Sequence, residues 1–523
     1  MMNDKQAIRS TLKNRLVAQR DFMTFCKYTD PKYPSEARHL QYLTKKLEQV
    51  KLFIKTKGAE GIGRLMIYMP PRYWKSQTAS RKFPAWVLGD LPDTRFILTS
   101  YGADLATKHS REVRDLIQSD RYQAIFGEMA SVNEPVMLDP DSRSAAAWEV
   151  AGHSGGMLAA GVGGAITGFG ALIFIIDDPV KSRDEASSAA RREMVWEWYR
   201  STAYTRLEDG AAIIVIQTRW DVEDLGGKLL NAMVSDPEAD QWDVVMMPAI
   251  ALEEKLYPKS REEYVENLLR GIFIPMGGDQ LGRAPGEALW GQKQDDPILK
   301  AIAANMGDFE FGAQFQQLPR LAEGEFLDDR DFQIIDRAPE GLKWYWYMDL
   351  ALGESETSDF NCTGGVAFDA HGNLYLRDMV KIRELEKFLP EARSLMLDDE
   401  ERGAEWGVED VAFQKLVFKE FMKDKALVNK NIRAVKPNGD KVERARPWRR
   451  RAKQGKFFLI RGKWNLDFVR TAAAFPKGRH DDEVDMVSGA VQMIAGDDGG
   501  DGKTVSSEAV VMDVSAMFAS VTS

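Results

Sequence analysis

The stretch Arg64-Leu-Met-Ile-Tyr-Met-Pro-Pro-Arg-Tyr-Trp-Lys-Ser-Gln-Thr-Ala-Ser80 decides the fold. Its apolar start reads as a buried strand, its Pro-Pro-Arg middle as a tight turn, and its end as a helix entered at Lys75-Ser76. With Lys-Ser at a helix entrance, a lysine can reach the β- and γ-phosphates of a nucleotide and a hydroxyl can hold Mg²⁺. The candidate nucleotide-binding residues are therefore Pro71, Arg72, Tyr73, Trp74, Lys75, Ser76 and Gln77, with Lys75 the catalytic cation and Ser76 a metal ligand. The glycines of the usual G-x-x-x-x-G-K-[ST] pattern are missing, since Met69 and Trp74 stand in their places. A proline-stopped strand followed by an exposed Lys-Ser would look the same, so the stretch needs support from elsewhere.

That support comes about a hundred residues on, in Ala171-Leu-Ile-Phe-Ile-Ile-Asp177-Asp178-Pro179. An apolar run ending in two acids is a buried strand that delivers carboxylates to a sheet edge. Asp177 would hold the Mg²⁺ shell and Asp178 would orient the attacking water as the catalytic base. Two more runs, Arg95–Ser100 and Ala211–Trp220, fit the same sheet. Strands of this type alternating with helical segments imply a parallel sheet with its ligand at the carboxyl ends, where Ser100, Asp177, Asp178 and Thr218 would lie. Thr218 is an ATP-binding candidate, and with Arg219 it is placed to sense the γ-phosphate. A surface ion pair is the competing reading for Arg219.

Taken in order, these pieces resemble the large terminase subunit of tailed bacteriophages, the motor that packages DNA into a procapsid and cuts it. The resemblance rests on Pro70-Pro-Arg-Tyr-Trp-Lys-Ser76, Ser100–Ala106, Gly164–Gly168, Ile175–Lys181 and Thr218-Arg-Trp220. Further on it includes Asp279–Arg283, Gly286–Trp290, Phe315–Pro319, Gly439-Asp-Lys441, Arg444-Ala445 and His480-Asp-Asp482, so it spans roughly residues 20 to 495. It implies an α/β chain with an N-terminal P-loop ATPase domain on a parallel central sheet, followed by an RNase H-like α/β nuclease domain on a mixed sheet. It further implies ATP with Mg²⁺ in the first domain and two Mg²⁺ or Mn²⁺ in the second. The implied partners are double-stranded DNA, the portal, a small terminase subunit and further copies of the chain in a ring. The implied location is the host bacterial cytoplasm and transiently the procapsid portal, not the mature virion.

The C-terminal half carries the acids that such a nuclease needs. Trp344–Asp349 reads as an aromatic strand with a carboxylate near its end. Thr363–Phe368 and Leu374–Val380 read as a hairpin through Asp369-Ala-His-Gly-Asn373. A helix near Leu385–Leu397 precedes a strand ending Trp406-Gly-Val-Glu409-Asp410, and His480-Asp481-Asp482-Glu483-Val-Asp485 opens a last helix. Carboxylates on two strands and a helix can converge to hold two divalent ions. Asp349, Glu409 and Asp481 form the expected metal-binding and catalytic set. Asp410 and Asp482 are rivals, because a one-residue shift turns a strand carboxylate to the other face. Asp359 is a possible helper, and His480 either contacts metal or scissile phosphate or packs against its helix.

Composition narrows the class. With 523 residues the chain can hold two or three full cores, and 44% hydrophobic with 29% charged residues is ordinary for a globular protein. The net charge of −10 runs against a general DNA binder. Between Lys430 and Lys463, however, thirteen Lys or Arg face only Asp440 and Glu443, a local balance of +11. Lys441, Arg444, Arg449, Arg450 and Arg451 are the DNA-binding candidates there, since a motor grips phosphates transiently. Trp448, Phe457, Phe458 and Trp464, interleaved with them, read better as core than as base-stacking residues. Cys26 and Cys362 form no zinc or disulfide pattern and suit a reducing cytoplasm, and the first residues lack the apolar centre of a signal peptide. Met157–Ile176 is twenty uncharged residues, but its five glycines favour a loop running into the acidic strand over a membrane helix.

The expected organisation is a helical N-terminal part over residues 1–60, with Leu40, Leu43, Leu47 and Val50 on one face, and an ATPase core over 61–250. A linker and lid segment over 251–335, a nuclease over 336–495 and a flexible tail over 496–523 follow. Two other functions compete. A P-loop helicase–nuclease of repair or recombination would need helicase motifs where this chain has acids. An RNase H-like resolvase or transposase would leave the first 250 residues without a task.

Overall fold

The computed structural model describes residues 12–127, 135–320, 326–351, 359–398, 403–409, 417, 421, 423–437, 439–476 and 480–497. The chain forms two compact units, Met1–Arg320 and Leu321–Ser523. Residues 251–320 of the segment expected to be a linker belong to the first unit.

The first unit is built on β1 (Arg64–Tyr68), β2 (Arg95–Ser100), β3 (Leu138–Arg143), β4 (Ala147–Val150), β5 (Gly156–Gly161), β6 (Ala171–Asp177), β7 (Leu207–Gln217) and β8 (Asp243–Met246). Their order in the sheet is β3-β4-β5-β2-β6-β7-β1-β8. The six strands from β5 to β8 run parallel, and β4 and β3 continue the sheet antiparallel. The parallel strands are near-continuous apolar runs because both their faces are covered, one cluster containing Leu65, Leu98 and Ile175, the other Met66, Ile97 and Phe174. Register then brings functional side chains to one edge: Ser100 pairs with Asp177 and Tyr68 with Gln217. The uncharged stretch 157–176 forms β5, a loop and β6, and no helix among the described residues is long and apolar enough to cross a membrane. The helix Arg38–Lys55 buries Leu40, Leu43, Leu47 and Val50, as its 3.6-residue spacing predicts.

The second unit holds β9 (Gln333–Ile335), β10 (Tyr345–Asp349), β11 (Asn361–Phe368), β12 (Leu374–Ile382), β13 (Glu405–Glu409), β14 (Asn431–Val435) and β15 (Phe457–Ile460). The sheet is mixed, in the order β14-β13-β10-β11-β12-β15-β9. β10, β11 and β12 form an antiparallel meander, and β13 runs parallel to β10, so the carboxyl ends of β10 and β13 share an edge. This is the RNase H-like α/β arrangement. The helix Asp482–Asp497 seats on the sheet by close approach. A Cβ on Gly489 would stand 2.5 Å from the Tyr347 ring of β10, and one on Gly364 of β11 would stand 2.9 Å from the Met486 methyl. Trp448, fully buried, donates its indole N–H to Ser488 at 2.9 Å and so ties the helix Lys441–Lys453 to this helix. Phe457 is also buried, and Phe458 stacks on Tyr375, so these aromatics are core.

Candidate functional site

In the first unit the loop after β1 ends where the helix begins, at Lys75. Arg72 and Trp74 both adopt φ of +67°, a left-handed backbone that usually selects glycine. The missing glycine is thus replaced by a tryptophan forced into its conformation. Trp74 is held edge-to-face against Tyr33 at 5.5 Å, and Lys293 donates to the Arg72 carbonyl at 2.8 Å. Pro71, Ser76 and Gln77 are partly exposed, Arg72 is exposed and Tyr73 is buried.

Two small networks join this loop to β6 and β7. The Lys75 ammonium donates to Asp178 at 3.0 Å and to the Thr218 hydroxyl, and the Thr218 backbone N–H donates to the same Asp178 oxygen at 2.9 Å. Asp177, buried at the end of β6, accepts from Ser76 at 3.0 Å and from Ser80 at 2.6 Å. His109 Nε2 lies 3.6 Å from Asp177, and its Nδ1 accepts from Arg81 at 2.8 Å. Burial pushes the Asp177 carboxyl up, and the Asp178 charge adds to this. Burial, with Arg81 and Lys108 nearby, pushes His109 down to about 3, so it is neutral. Lys75, Ser76, Asp177, Asp178 and Thr218 are therefore brought together. Ser80 and His109 join them unforeseen: Ser80 lies one helical turn beyond Ser76, a legible signal, whereas His109 arrives from the separate helix Ala103–Ile117. Arg219 corrects the surface reading. It is fully buried, shares its Nε–H between both Asp224 oxygens at 3.0 Å, donates to the Gly271 carbonyl at 2.6 Å and faces the Tyr68 ring.

In the second unit Asp349 ends β10 and Glu409 ends β13, two adjacent parallel strands. Burial raises the Asp349 carboxyl well above the usual range, and Asp485, Glu409 and Asp482 raise it further in that order. The helix residues that act on Asp349 are thus Asp485 and Asp482. Asp481 instead accepts from Lys441 at 2.7 Å. Sequence reasoning misses Asp485, although its i, i+3 spacing from Asp482 puts both on one helix face. Asp482 is pushed up to about 6 by burial, and its Oδ2 has no hydrogen-bond partner among the described residues. Asp359, His480 and Asp482 bring one ligand atom each within 4.8 Å of one another, and His480 Nδ1 lies 3.1 Å from Asp359. Glu483 points the other way, fully buried against Lys381 and Thr471, and anchors the helix start. Asp410 lies outside the described residues.

The basic helix is less uniform than its sequence. Lys441 and Arg444 turn to the acids, Arg444 donating to Asp485 at 2.7 Å. Arg449 donates to the Phe326 carbonyl at 2.8 Å, and only Arg450 of the triplet is exposed. Arg451 is corrected as a DNA-facing residue. It shares the buried helix face of Trp448 and Ala452 and stacks on Phe368 at 4.5 Å.

One chain thus combines a parallel sheet whose acidic strand β6 meets the lysine loop and a mixed, carboxylate-edged sheet. Residues 66–279 match the family described as terminase large subunit, T4-like virus type, N-terminal. Over that segment the chain is similar to the large terminase subunits of bacteriophages. Among solved structures, it is similar to the large terminase of bacteriophage HK97, at 11% identity over 85% of this chain and 93% of that one, with a TM-score of 0.37. A large terminase from a thermophilic bacteriophage matches at 10% identity over 85% of this chain and 98% of its own, TM-score 0.31. The large terminase nuclease of the thermophilic phage G20c with bound zinc matches 30% of this chain and 85% of its own at 14% identity, TM-score 0.23. No curated protein matches.

Proposed function

We propose that this chain is the motor and nuclease of phage DNA packaging. In this reading ATP hydrolysis in the first unit drives double-stranded DNA through the portal into the procapsid. The second unit cuts concatemeric DNA to begin and end each round. The observation that carries the reading is the meeting of Lys75 and Ser76 with Asp178 and Asp177, in one chain with the acids gathered around Asp349.

Lys75 holds the β/γ-phosphates of ATP, leaving Asp178 and Thr218 when the substrate arrives. Asp178 accepts a hydrogen bond from the attacking water and orients it. Thr218, at the end of the strand between β1 and β6, is positioned to register whether the γ-phosphate is present. Ser76 and Asp177 are the ligands for the Mg²⁺ that accompanies ATP, and Ser80 fixes the Asp177 carboxylate.

The acids of the second unit fit divalent cations. Asp349 is buried among Asp485, Glu409 and Asp482, and the Asp482 Oδ2 lacks a hydrogen-bond partner among the described residues. Asp349, Glu409, Asp482 and Asp485 would hold two Mg²⁺ or Mn²⁺, with Asp481 and the Asp359–His480 pair beside them. Bound there, such ions supply activation of water and stabilisation of the leaving 3′ oxygen. Arg450, with Lys441 at the rim of the acids, meets DNA phosphates. The partners in this reading are the portal, a small terminase subunit and further copies of the chain in a ring, in the cytoplasm of the host bacterium. The test is DNA-stimulated ATP hydrolysis together with Mn²⁺-dependent plasmid cleavage by one preparation, then packaging into matching procapsids with the DNA ends mapped. A preparation that cleaves DNA but never turns over ATP would remove the motor half of the reading.

A further inference from the structure

Among the described residues, the helix Lys441–Lys453 turns two cations of differing setting, Lys441 and Arg444, to Asp481 and Asp485. Lys441 Nζ lies 2.7 Å from Asp481 Oδ1 and 3.0 Å from Asp485 Oδ2, and Arg444 Nη2 lies 2.7 Å from Asp485 Oδ1. Both rise from one face of the helix Lys441–Lys453, three residues apart. The Arg444 side chain is 11% exposed, whereas that of Lys441 is 53% exposed and stands at the first helical position. An enclosed guanidinium pair is a lasting contact, but a half-solvated ammonium pair is weak and exchanges readily.

Resting on the nuclease reading above, we propose that Lys441 is a built-in stand-in for a divalent cation and is released by DNA. Its ammonium neutralises Asp481 and Asp485 until a DNA phosphate draws it away, and the freed carboxylates then take the metal. Three observations carry this. One ammonium bridges Asp481, just ahead of the last helix, and Asp485, within its first turn. The same lysine is the exposed member of the pair, so a phosphate can reach it. Arg444 keeps Asp485 oriented after the lysine leaves. Lys441 is thus a positioning residue that makes metal loading conditional on DNA. Reciprocity then requires DNA and metal to raise each other's affinity by one factor.

The experiment titrates Mn²⁺ alone into the full chain, followed by electron paramagnetic resonance, with and without a short phosphorothioate duplex. Wild type is expected to bind Mn²⁺ about tenfold more tightly with the duplex present. Lys441→Met should bind it about tenfold more tightly than wild type without DNA and gain little from the duplex. Lys441→Arg should restore the dependence on DNA. ATP turnover and the melting profile of the same preparations establish that the variants are folded. Equal or weaker Mn²⁺ binding by folded, DNA-free Lys441→Met overturns the proposal. If Asp349→Ala cannot cleave while Lys441→Met binds Mn²⁺ like wild type, only the stand-in role fails. If Asp349→Ala cleaves normally, the nuclease reading itself is gone.

Discussion

The Lys75 ammonium and the Asp178 carboxylate lie 3.0 Å apart, and the oxygen they share also accepts the Thr218 backbone N–H. The lysine proposed to serve the phosphates is therefore parked on the acid proposed to orient water. Lys75→Ala is expected to lower ATP hydrolysis by about a hundredfold or more, since the phosphate charge loses its stabiliser. Plasmid cleavage should continue, because the acids proposed to hold its metals belong to the other unit. Steady-state ATP turnover near the wild-type rate in this variant would remove the loop from the nucleotide site.

Asp349→Ala is expected to abolish plasmid linearisation in Mn²⁺ and leave ATP turnover intact. The acids at the helix start should rank unequally: Asp485→Asn loses more cleavage than Asp481→Asn, because Asp485 is buried and held by both Arg444 and Lys441, whereas Asp481 is the more exposed. Double variants should be little worse than Asp349→Ala, as the acids act as one unit. Supercoiled-to-linear conversion across the series checks the ranking, and a reversed order of Asp485 and Asp481 would contradict the geometry.

Gly489→Ala tests how the helix Asp482–Asp497 is seated. Its added methyl would stand 2.5 Å from the buried Tyr347 ring, so helix and sheet must part. Overpacking of this kind costs about 1–3 kcal/mol. Cleavage should fall through displaced acids, with ATP turnover unchanged. Undiminished cleavage together with unchanged thermal unfolding would show that the approach is looser than described.

His39 gives the first unit a pH dependence. It is buried against Tyr73 and Trp290, and burial pushes it down to about 4. Its folded value lies below the unfolded one, so its contribution is complete above about 6.5 and is lost as pH falls towards 4. Between pH 7 and 5, wild type should lose about 2 kcal/mol more than His39→Phe. Urea unfolding of both at the two pH values measures the difference, and parallel losses would contradict it.

Much of this is legible in the sequence because local pattern and tertiary role coincide. The buried strands ending at Ser100, Asp177 and Gln217 announce themselves as apolar runs that stop at polar residues, and the acid at the end of β10 does the same. What escapes depends on partners distant in sequence. His109 looks like any polar residue on an amphipathic helix until Arg81 and Asp177 arrive beside it. Arg451 looks like its neighbours because a basic run hides helical periodicity. Its place on the helix face of Trp448 and Ala452 is the clue to its burial. Asp485 is overlooked for the opposite reason: the paired acids one turn before it draw the eye first.

The left-handed Arg72 and Trp74 have a consequence for transplantation. Each such conformation costs a non-glycine residue about 1–2 kcal/mol, so the loop's shape is imposed from outside, by Tyr33 and Lys293 among others. A glycine loop carries its shape with it and can be grafted as a short cassette. Met69–Ser76 moved alone into another scaffold would relax out of this form. The portable unit here is the loop together with the distant residues that brace it.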